Sequence, residues 1–404
     1  MVEIADIDSL GRLEAWLNGQ SHEVAVCIAP RAAAWVLPIW WHAVLSEDWA
    51  RGREWTALTV LRCTLISYVA AKMPNEDIKR VASNAAATAR TSASLASGAA
   101  THAAAAHAAF SAAFAASTAF SDEPVNTAFN AFAASINSAS TAAAGSNNHS
   151  YSVSDPSTPA FAIWQSFRAD ASQMKDEEIL VFMPLWQQGV GPFDGLWEKI
   201  NGFVEGGDSP HDWQFWIEWY QALLDGRPML GNAARTWEML EKIALIKPEV
   251  WDQGPEAVNP MIHEIWDLVR LRIEAEELRA QKEAFLAERA TPEQRSHNQP
   301  PGLVEAEPEI ARHVTIIWAG LDEASEELAA KEPDKERLTQ IAKGMLAALR
   351  AVAAYCGKLA DRVIKAAASV IGAGVGTALL DHVANNGRLM QFAKDLLTWS
   401  VGGG

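Results

Sequence analysis

The chain has 404 residues, 49% hydrophobic and 21% charged, which is enough for about two or three domain-sized units with their own cores. Its formal net charge of −17 argues against a general nucleic-acid binder, because contacts to phosphate need lysine and arginine. The three cysteines, Cys27, Cys63 and Cys356, lie far apart and lack C-x-x-C spacing. The sequence therefore predicts neither a disulfide framework nor a thiolate metal site.

The N-terminus, MVEIADIDSL, is acidic and lacks the positive and apolar regions of a secretory signal, so we expect a cytoplasmic protein. The segment 24–45, VAVCIAPRAAAWVLPIWWHAVL, has the length and apolar composition of a membrane span. It also contains Arg31 and is interrupted by Pro30 and Pro38, which favours a buried, kinked helix. A membrane span is the alternative interpretation.

Almost every informative window of the chain has helical rather than alternating periodicity. One example is REWTALTVLRCTLISYVAAK, a predicted helix that ends at the following MPNED. The sequence therefore predicts an all-α fold made of modular helical bundles. Changes in composition divide the chain into an N-terminal helical domain at 1–145, a linker at 146–160, a Trp-rich helical domain at 161–290, a Pro-rich linker at 291–308 and a C-terminal helical unit at 309–404.

An alanine-rich zone covers residues 81–145, with 28 alanines and three charged residues. Because alanine is the best helix former, this composition predicts helix, and SDEP at 121–124 predicts a turn into a second helix. We expect a helical hairpin whose arms pack through large side chains at helical spacing; a membrane bundle with small-residue packing is the alternative. Those side chains are Phe110 and Phe114 on one arm, and Phe129, Phe132 and Ile136 on the other.

The stretch HDWQFWIEWY at 211–220 lies in a region that holds nine of the 17 tryptophans. Ser209 and Pro210 before it have the form of a helix start, with Asp212 three residues after the cap. Aromatic side chains would cover most of such a helix, so we predict that they pack against one another in a core. A stacking surface for sugars or nucleobases would need exposed rings instead.

An enzymatic interpretation starts from the adjacent His211 and Asp212, a pair used by helical metal-dependent phosphohydrolases with an H…HD…D ligand set. The remaining ligands would have to be His149 and Asp267, which no pattern supports. Since capping already explains Asp212, we predict no catalytic residues, no metal site and no cofactor.

Two segments repeat a short pattern: PLWQQG at 184–189 and PEVWDQG at 248–254 each end in Gln-Gly and are followed closely by Gly-Pro. The pattern predicts a tight turn held by a buried indole at the start of the next helix.

Several of these elements together resemble a recurrent module of bacterial proteins of unknown function, over about 24–266. The resemblance rests on RAAAWVLP, LISYVAAKMP before the alanine-rich zone, FMPLW, DWQFWIEWYQALLDGRP, EKIALIKPEVWDQGPEAVN and IHEIW. It implies no reaction. The chain departs from the module at Gln221 and Ala222, where acidic and basic residues are usual, and at Pro30, where an uninterrupted alanine-rich stretch is expected.

The C-terminal third carries heptad patterns. A charged helix from Glu264 to about Ala290 places Leu271, Leu278 and Phe285 seven apart, which indicates either a surface-packed connecting helix or an intermolecular coiled coil. After a helix near 309–331, a longer seam repeats Leu338, Met345, Val352 and Leu359, and it runs into the glycine-containing apolar segment 366–380. A terminal amphipathic helix presents Leu389, Phe392, Leu396 and Trp399 on one face.

Residues 335–404 carry nine Lys or Arg and four Asp or Glu, a net charge of +5 that leaves −22 for residues 1–334. This asymmetry is typical of a segment that meets an anionic partner, although contact with the acidic body of the same chain would use the same field. The sequence favours a non-enzymatic assembly or scaffold protein that self-associates or binds a protein partner through the heptad residues. The alternative is a membrane-active effector in which Lys358, Arg362 and Lys365 contact headgroups while Phe392, Leu396 and Trp399 enter the bilayer.

Overall fold

The structure is a computed structural model that describes residues 3–46, 57–95, 124–144, 156–173, 182–186, 189, 191–206, 212–289, 308–366 and 387–402. These residues form fourteen α-helices and a short 3-10 helix at Ile4–Asp6, and none of them lies in a strand. The predicted all-α class is confirmed. The chain divides into two compact units, Met1–His263 and Glu264–Gly404.

Unit 1 holds ten complete helices and the first residues of an eleventh. They are α1 (Leu10–Leu17), α2 (His22–Ser46), α3 (Leu58–Lys72), α4 (Glu76–Leu95), α5 (Pro124–Ala144), α6 (Pro159–Gln173), α7 (Asp194–Glu205), α8 (Gln214–Asp225), α9 (Ala233–Ala244), α10 (Pro248–Trp251) and α11 (Pro255–Arg289). The boundary between the two units falls inside α11.

Helix α2 is the central element of unit 1. It continues through Pro30 and Pro38, its residues 25–41 are all buried, and α3, α5 and α7 pack against it. It is also the one described helix with the length and apolar composition of a membrane span, and 94% of its most apolar window is buried inside the protein. The burial confirms the prediction of a buried helix at this position.

The alanine-rich zone supplies α4 and α5, and α5 begins at Pro124 as the sequence predicts. Phe132 and Ile136 are buried and Phe129 is half-buried. Helix α5 packs on α2, where the Ser135 hydroxyl donates a 2.6 Å hydrogen bond to the Ala32 carbonyl. The predicted hairpin turn, together with Phe110 and Phe114, lies outside the described residues.

The predicted division at 146–160 does not separate two units. Helix α6, which follows it, packs against α5, and the rings of Phe132 and Trp164 lie 4.7 Å apart. Residues from both predicted domains therefore share one core within Met1–His263. Composition alone marks a loop at this position, whereas the aromatic side chains on both sides of the loop determine that the helices pack together.

Helix α8 begins later than the sequence predicts. Its first residue is Gln214, whose backbone N–H donates a 2.9 Å hydrogen bond to the Asp212 carboxylate. Asp212 thus accepts a hydrogen bond at the start of the helix. The helix begins four residues later than a Ser209 cap implies, and Ser209 and Pro210 lie outside the described residues. The helix ends at Gly226, which has a left-handed φ of 65°.

Unit 2 is a helical bundle. It combines the remainder of α11 with α12 (Pro308–Ala329), α13 (Lys335–Ala366) and α14 (Gly387–Val401). Helix α13 packs against both α12 and α14, and Leu271, Ala275 and Leu278 of α11 enter the same core. Leu271 and Leu278 of the α11 heptad thus pack within the chain, whereas the Phe285 side chain lies outside the described set. Most of the 291–308 linker and the glycine-containing segment after Ala366 lie outside the described residues.

Gly226 and Gly231 offer a matched test of how closely α8 approaches the chain before α7. Both have a left-handed φ, 65° and 68°. A Cβ at Gly226 would overlap the backbone nitrogen of Pro184, whereas a Cβ at Gly231 would meet nothing within 4 Å. We expect Gly231→Ala to cost about 1 kcal/mol of unfolding free energy from its φ alone.

We expect Gly226→Ala to cost roughly 2 kcal/mol more than Gly231→Ala, because the overlap adds overpacking to the same backbone penalty. Urea denaturation followed by tryptophan fluorescence measures both losses. Equal losses in the two variants would contradict the close approach of Gly226 to Pro184.

Candidate interface and buried polar sites

The sequence-predicted contact residues of unit 2 lie in its own core wherever their side chains are described. Leu338, Met345, Val352, Phe392 and Leu396 are fully buried, and Trp399 is 9% exposed. The Trp399 indole N–H donates to the backbone carbonyl of Glu264 at 3.2 Å. The side chains of Leu359, Lys358, Arg362 and Lys365 lie outside the described set. The predicted residues are brought together, but as an intramolecular core.

Burial of this apolar face changes what a membrane role would require. In the bundle, the terminal helix α14 buries Leu389, Phe392 and Leu396 completely. A membrane contact through these residues would require α14 to leave the bundle and expose that surface. The bilayer would therefore compete with the core of unit 2 for the same side chains.

Part of the positive charge of the C-terminal segment is compensated inside unit 2. Lys335 pairs with Glu264 at 2.5 Å and Arg388 pairs with Glu277 at 2.6 Å, which connects α13 and α14 to α11. Arg337 pairs with Glu327 of α12 at 3.0 Å. Intramolecular pairing with acidic residues, one of the two expectations from the charge asymmetry, thus accounts for these three cations.

Two outward stripes of unit 2 remain exposed. On α13 the stripe consists of Lys343, Ala347, Arg350 and Ala354, and neither basic side chain has an ion-pair partner among the residues that the structure describes. On α12 the exposed residues at the same helical spacing are Arg312, Ile316, Ala319, Glu323 and Glu326. We call these the basic stripe and the acidic stripe. Small side chains in both stripes allow another helix to approach closely.

The aromatic stretch of α8 forms part of the core of unit 1. Trp213, Phe215, Trp216, Trp219 and Tyr220 are each 2% exposed or less. The rings of Trp216 and Trp219 lie 5.8 Å apart in an edge-to-face arrangement. The prediction that these side chains pack against one another is confirmed, and an exposed stacking surface on these rings is excluded.

The repeated Trp-Gly pattern also has the predicted geometry. In both segments the glycine N–H bonds to the tryptophan carbonyl three residues earlier, Gly189 to Trp186 at 3.0 Å and Gly254 to Trp251 at 3.1 Å. Both glycines have a left-handed φ and both indoles are buried. A Cβ at Gly191 would also overlap the Trp186 ring. The two turns are therefore equivalent, and helices α7 and α11 follow them.

A charged pair lies inside the apolar core of unit 1. Arg31 of α2 is 2% exposed, and its Nε and Nη2 donate to the two oxygens of Asp170 on α6 at 2.5 and 3.0 Å. Its guanidinium also donates to the backbone carbonyls of Met183 and Pro184, at 3.2 and 3.0 Å. Burial is the largest influence on the pKa of Arg31 and lowers it, but the charge of Asp170, its hydrogen bond and the neighbouring groups together raise the pKa above its ordinary value.

The same network fixes neighbouring segments. The Trp35 indole donates to the Leu185 carbonyl at 3.0 Å, and the Tyr220 hydroxyl donates to the Ala34 carbonyl at 3.1 Å. The backbone N–H of Leu185 donates to the Leu223 carbonyl at 3.0 Å. Sequence analysis noted Arg31 only as an obstacle to membrane insertion and did not identify Asp170. An arginine in an otherwise apolar buried helix was the available signal, because a buried cation needs a nearby anion.

A small half-open cavity of about 20 Å³ lies between α3, α8 and α9. Its most buried lining residues are Tyr68, Trp219 and Thr236, each with a polar atom that has no hydrogen-bond partner among the described residues. Burial raises the pKa of Tyr68 above its ordinary range, so its hydroxyl stays protonated. The volume suits one water molecule, and it is too small for an organic substrate.

The residues of the phosphohydrolase interpretation do not form a metal site where they are described. Asp212 lies 3.2 Å from the His263 Nε2, and Asp267 pairs with Arg270 at 3.1 Å. No cluster of three or more His, Cys, Asp or Glu side chains able to hold a metal ion occurs in the described ranges. His149 and His211 lie outside them. Cys63 is a poor nucleophile because burial raises its pKa to about 12.

No protein-family model, curated protein or solved structure matches the chain. The resemblance to the bacterial module over 24–266 therefore stays an expectation from the sequence.

The Arg31–Asp170 pair predicts a large loss of stability when one partner is removed. We expect Asp170→Asn to lower the unfolding free energy by about 3–5 kcal/mol, because the Arg31 charge stays buried without its anion. The matched control is Asp77→Asn, which removes an exposed pair with Arg80 and should cost at most about 0.5 kcal/mol.

The double variant Arg31→Met with Asp170→Leu should recover most of that loss, since an apolar pair of similar volume leaves no buried charge. Urea denaturation of the four proteins measures the comparison. Similar small losses for Asp170→Asn and Asp77→Asn would show that the buried pair is not needed for stability.

Proposed function

We propose that the protein is a non-enzymatic helical assembly protein that self-associates through the exposed stripes of unit 2. One observation carries the proposal: the basic stripe on α13 holds two exposed cations, Lys343 and Arg350, that have no ion-pair partner in the described part of the chain. The acidic stripe on α12 carries Glu323 and Glu326 three residues apart at one end and Arg312 at the other, whereas Lys343 and Arg350 lie seven residues apart on α13. The glutamate end of the acidic stripe is opposite in charge to the basic stripe.

The chemistry of the buried groups supports a structural role. Asp170 is bound by Arg31, and Cys63 is kept protonated by burial. In both cases the side chain that would attract an enzymatic hypothesis is occupied or inactivated by the fold.

Pairing of the basic stripe of one copy with the acidic stripe of another joins two different surfaces. Such pairing can close reciprocally in a two-fold dimer, or it can continue head to tail into a ring or an open chain. Because each form is in equilibrium with single copies, the oligomeric fraction should rise with protein concentration. It should also weaken with salt, because exposed charges are screened.

The test is sedimentation velocity over a range of concentrations. We expect the wild-type chain to form oligomers. Two double variants should be monomeric, one with Lys343→Glu and Arg350→Glu and the other with Glu323→Lys and Glu326→Lys. Each variant places like charges opposite one another in the proposed interface. The control, Lys79→Glu with Arg80→Glu on α4, should assemble as the wild type does.

Mixing the two charge-reversed proteins should restore assembly, since each acidic stripe then faces a basic one. Monomeric wild-type protein at all concentrations would contradict self-association. Assembly that survives both reversals would place the interface elsewhere.

The second candidate is a membrane-active effector. The observation that favours it is the same basic stripe, which lies on the helix that also carries Lys358, Arg362 and Lys365. Exposed cations on one helix face suit an anionic bilayer surface, at about 1 kcal/mol per Lys or Arg near that surface.

Flotation with vesicles containing phosphatidylserine distinguishes the two candidates. A membrane protein of this kind should float at low salt, and Lys343→Glu with Arg350→Glu should abolish flotation. An assembly protein should stay in the soluble fraction under the same conditions. If the wild type and the double variant both float, the basic stripe has no role at the membrane.

A further inference from the structure

A second buried arginine of unit 1 lacks the compensation that Arg31 has. Arg62 of α3 is 4% exposed, and its guanidinium carbon lies 4.9 Å from the centre of the Trp251 ring. The cation therefore lies over the Trp251 ring, a contact that favours the charged guanidinium without using its N–H groups.

The Nε and Nη2 atoms of Arg62 are both enclosed and have no hydrogen-bond acceptor in the described part of the chain. These two N–H groups point from the same edge of the guanidinium, at a spacing that matches two oxygens of a carboxylate or a phosphate. Arg31 uses the same two atoms to bind both oxygens of Asp170. The Nε and Nη2 atoms therefore bind a carboxylate in Arg31, whereas the same two atoms have no acceptor in Arg62.

The charge around Arg62 is also poorly balanced. Burial lowers the pKa of Arg62; the neighbouring Cys63 thiol is protonated, and the negative charge of Asp252 offsets the effect of burial only in part. Asp252 itself is exposed and forms no ion pair with Arg62. The charged form of a buried arginine in these surroundings is stabilised by any anion that reaches its Nε and Nη2 atoms.

We propose that the Nε and Nη2 edge of Arg62 binds an oxyanion of a small ligand, either a carboxylate or a phosphate group. The Trp251 ring favours the charged guanidinium, and the two N–H groups supply a bidentate contact. Because both nitrogens are enclosed, access requires a local opening of the surrounding side chains, and the cost of that opening reduces the affinity. The site is independent of the stripes of unit 2.

The test uses the full chain and two probes, sodium phosphate and sodium acetate, each compared with sodium chloride at the same ionic strength. Thermal unfolding is followed by tryptophan fluorescence. We expect the midpoint of wild-type unfolding to rise with at least one probe, by roughly 3 °C for each tenfold increase in anion above its dissociation constant. A rise with phosphate alone identifies a phosphoryl ligand, and a rise with acetate alone identifies a carboxylate.

Three variants assign the effect to Arg62. Arg62→Met removes the charge and both donors at similar volume, and it should abolish the rise. Arg62→Lys keeps the charge but loses the bidentate edge, so it should retain only part of the rise. Arg80→Met removes an exposed arginine and should respond as the wild type does. No rise with either probe in the wild type, or an equal rise in Arg62→Met, would overturn the proposal.

Discussion

Arg31 carries a permanent charge in the middle of the most apolar of the described helices, and its partners come from other parts of unit 1. Transfer of a guanidinium from water into a protein interior costs several kcal/mol unless an anion and hydrogen-bond acceptors replace the lost water. Asp170 supplies the anion, and the carbonyls of Met183 and Pro184 supply further acceptors. Two segments distant in sequence from α2, one in α6 and one at 183–184, are thereby required to meet at one point on that helix.

This requirement explains why so many aromatic side chains are needed around α2. A pair of buried ions adds specificity to the packing but little net stability, so apolar burial has to provide the stability. Trp35, Trp40 and Trp41 on α2 are fully buried, and rings from α5, α7 and α8 surround them, as in the 6.0 Å contact between Trp35 and Phe132. Large rings reach across the spaces that the many alanines of α2 and α5 leave between the helices.

The parts of this fold that the sequence predicts are those encoded locally. Helical periodicity identified α3 and α12, and the Trp-Gly pattern identified two turns in which the glycine φ and the hydrogen bond agree. Composition marked a division at 146–160, whereas the packing of α5 against α6 across it depends on contacts between distant residues. A capping pattern placed the start of α8 after Ser209, whereas the helix begins at Gln214 beside Asp212. The heptads of α13 show the same limit, because a seam of Leu338, Met345 and Val352 looks alike whether its partner is in the same chain or another. Arg62 lies inside the predicted helix REWTALTVLRCTLISYVAAK, and no local pattern marks it as buried.

The intramolecular packing of that seam determines which surface of unit 2 is left for a partner. Where α11, α12 and α14 cover the described heptad residues, α13 exposes its opposite side, on which Lys343 and Arg350 lie among alanines and Glu336 and Gln340 continue the same face. Such a surface gains little from apolar burial, so any partner must be selected mainly by charge and close helix approach. An interface of this kind is reversible and sensitive to salt, unlike a coiled coil built on the leucines. The same apolar residues cannot stabilise the bundle and hold a partner at once, so the proposed assembly would have to use the exposed side of α13 unless the bundle opens.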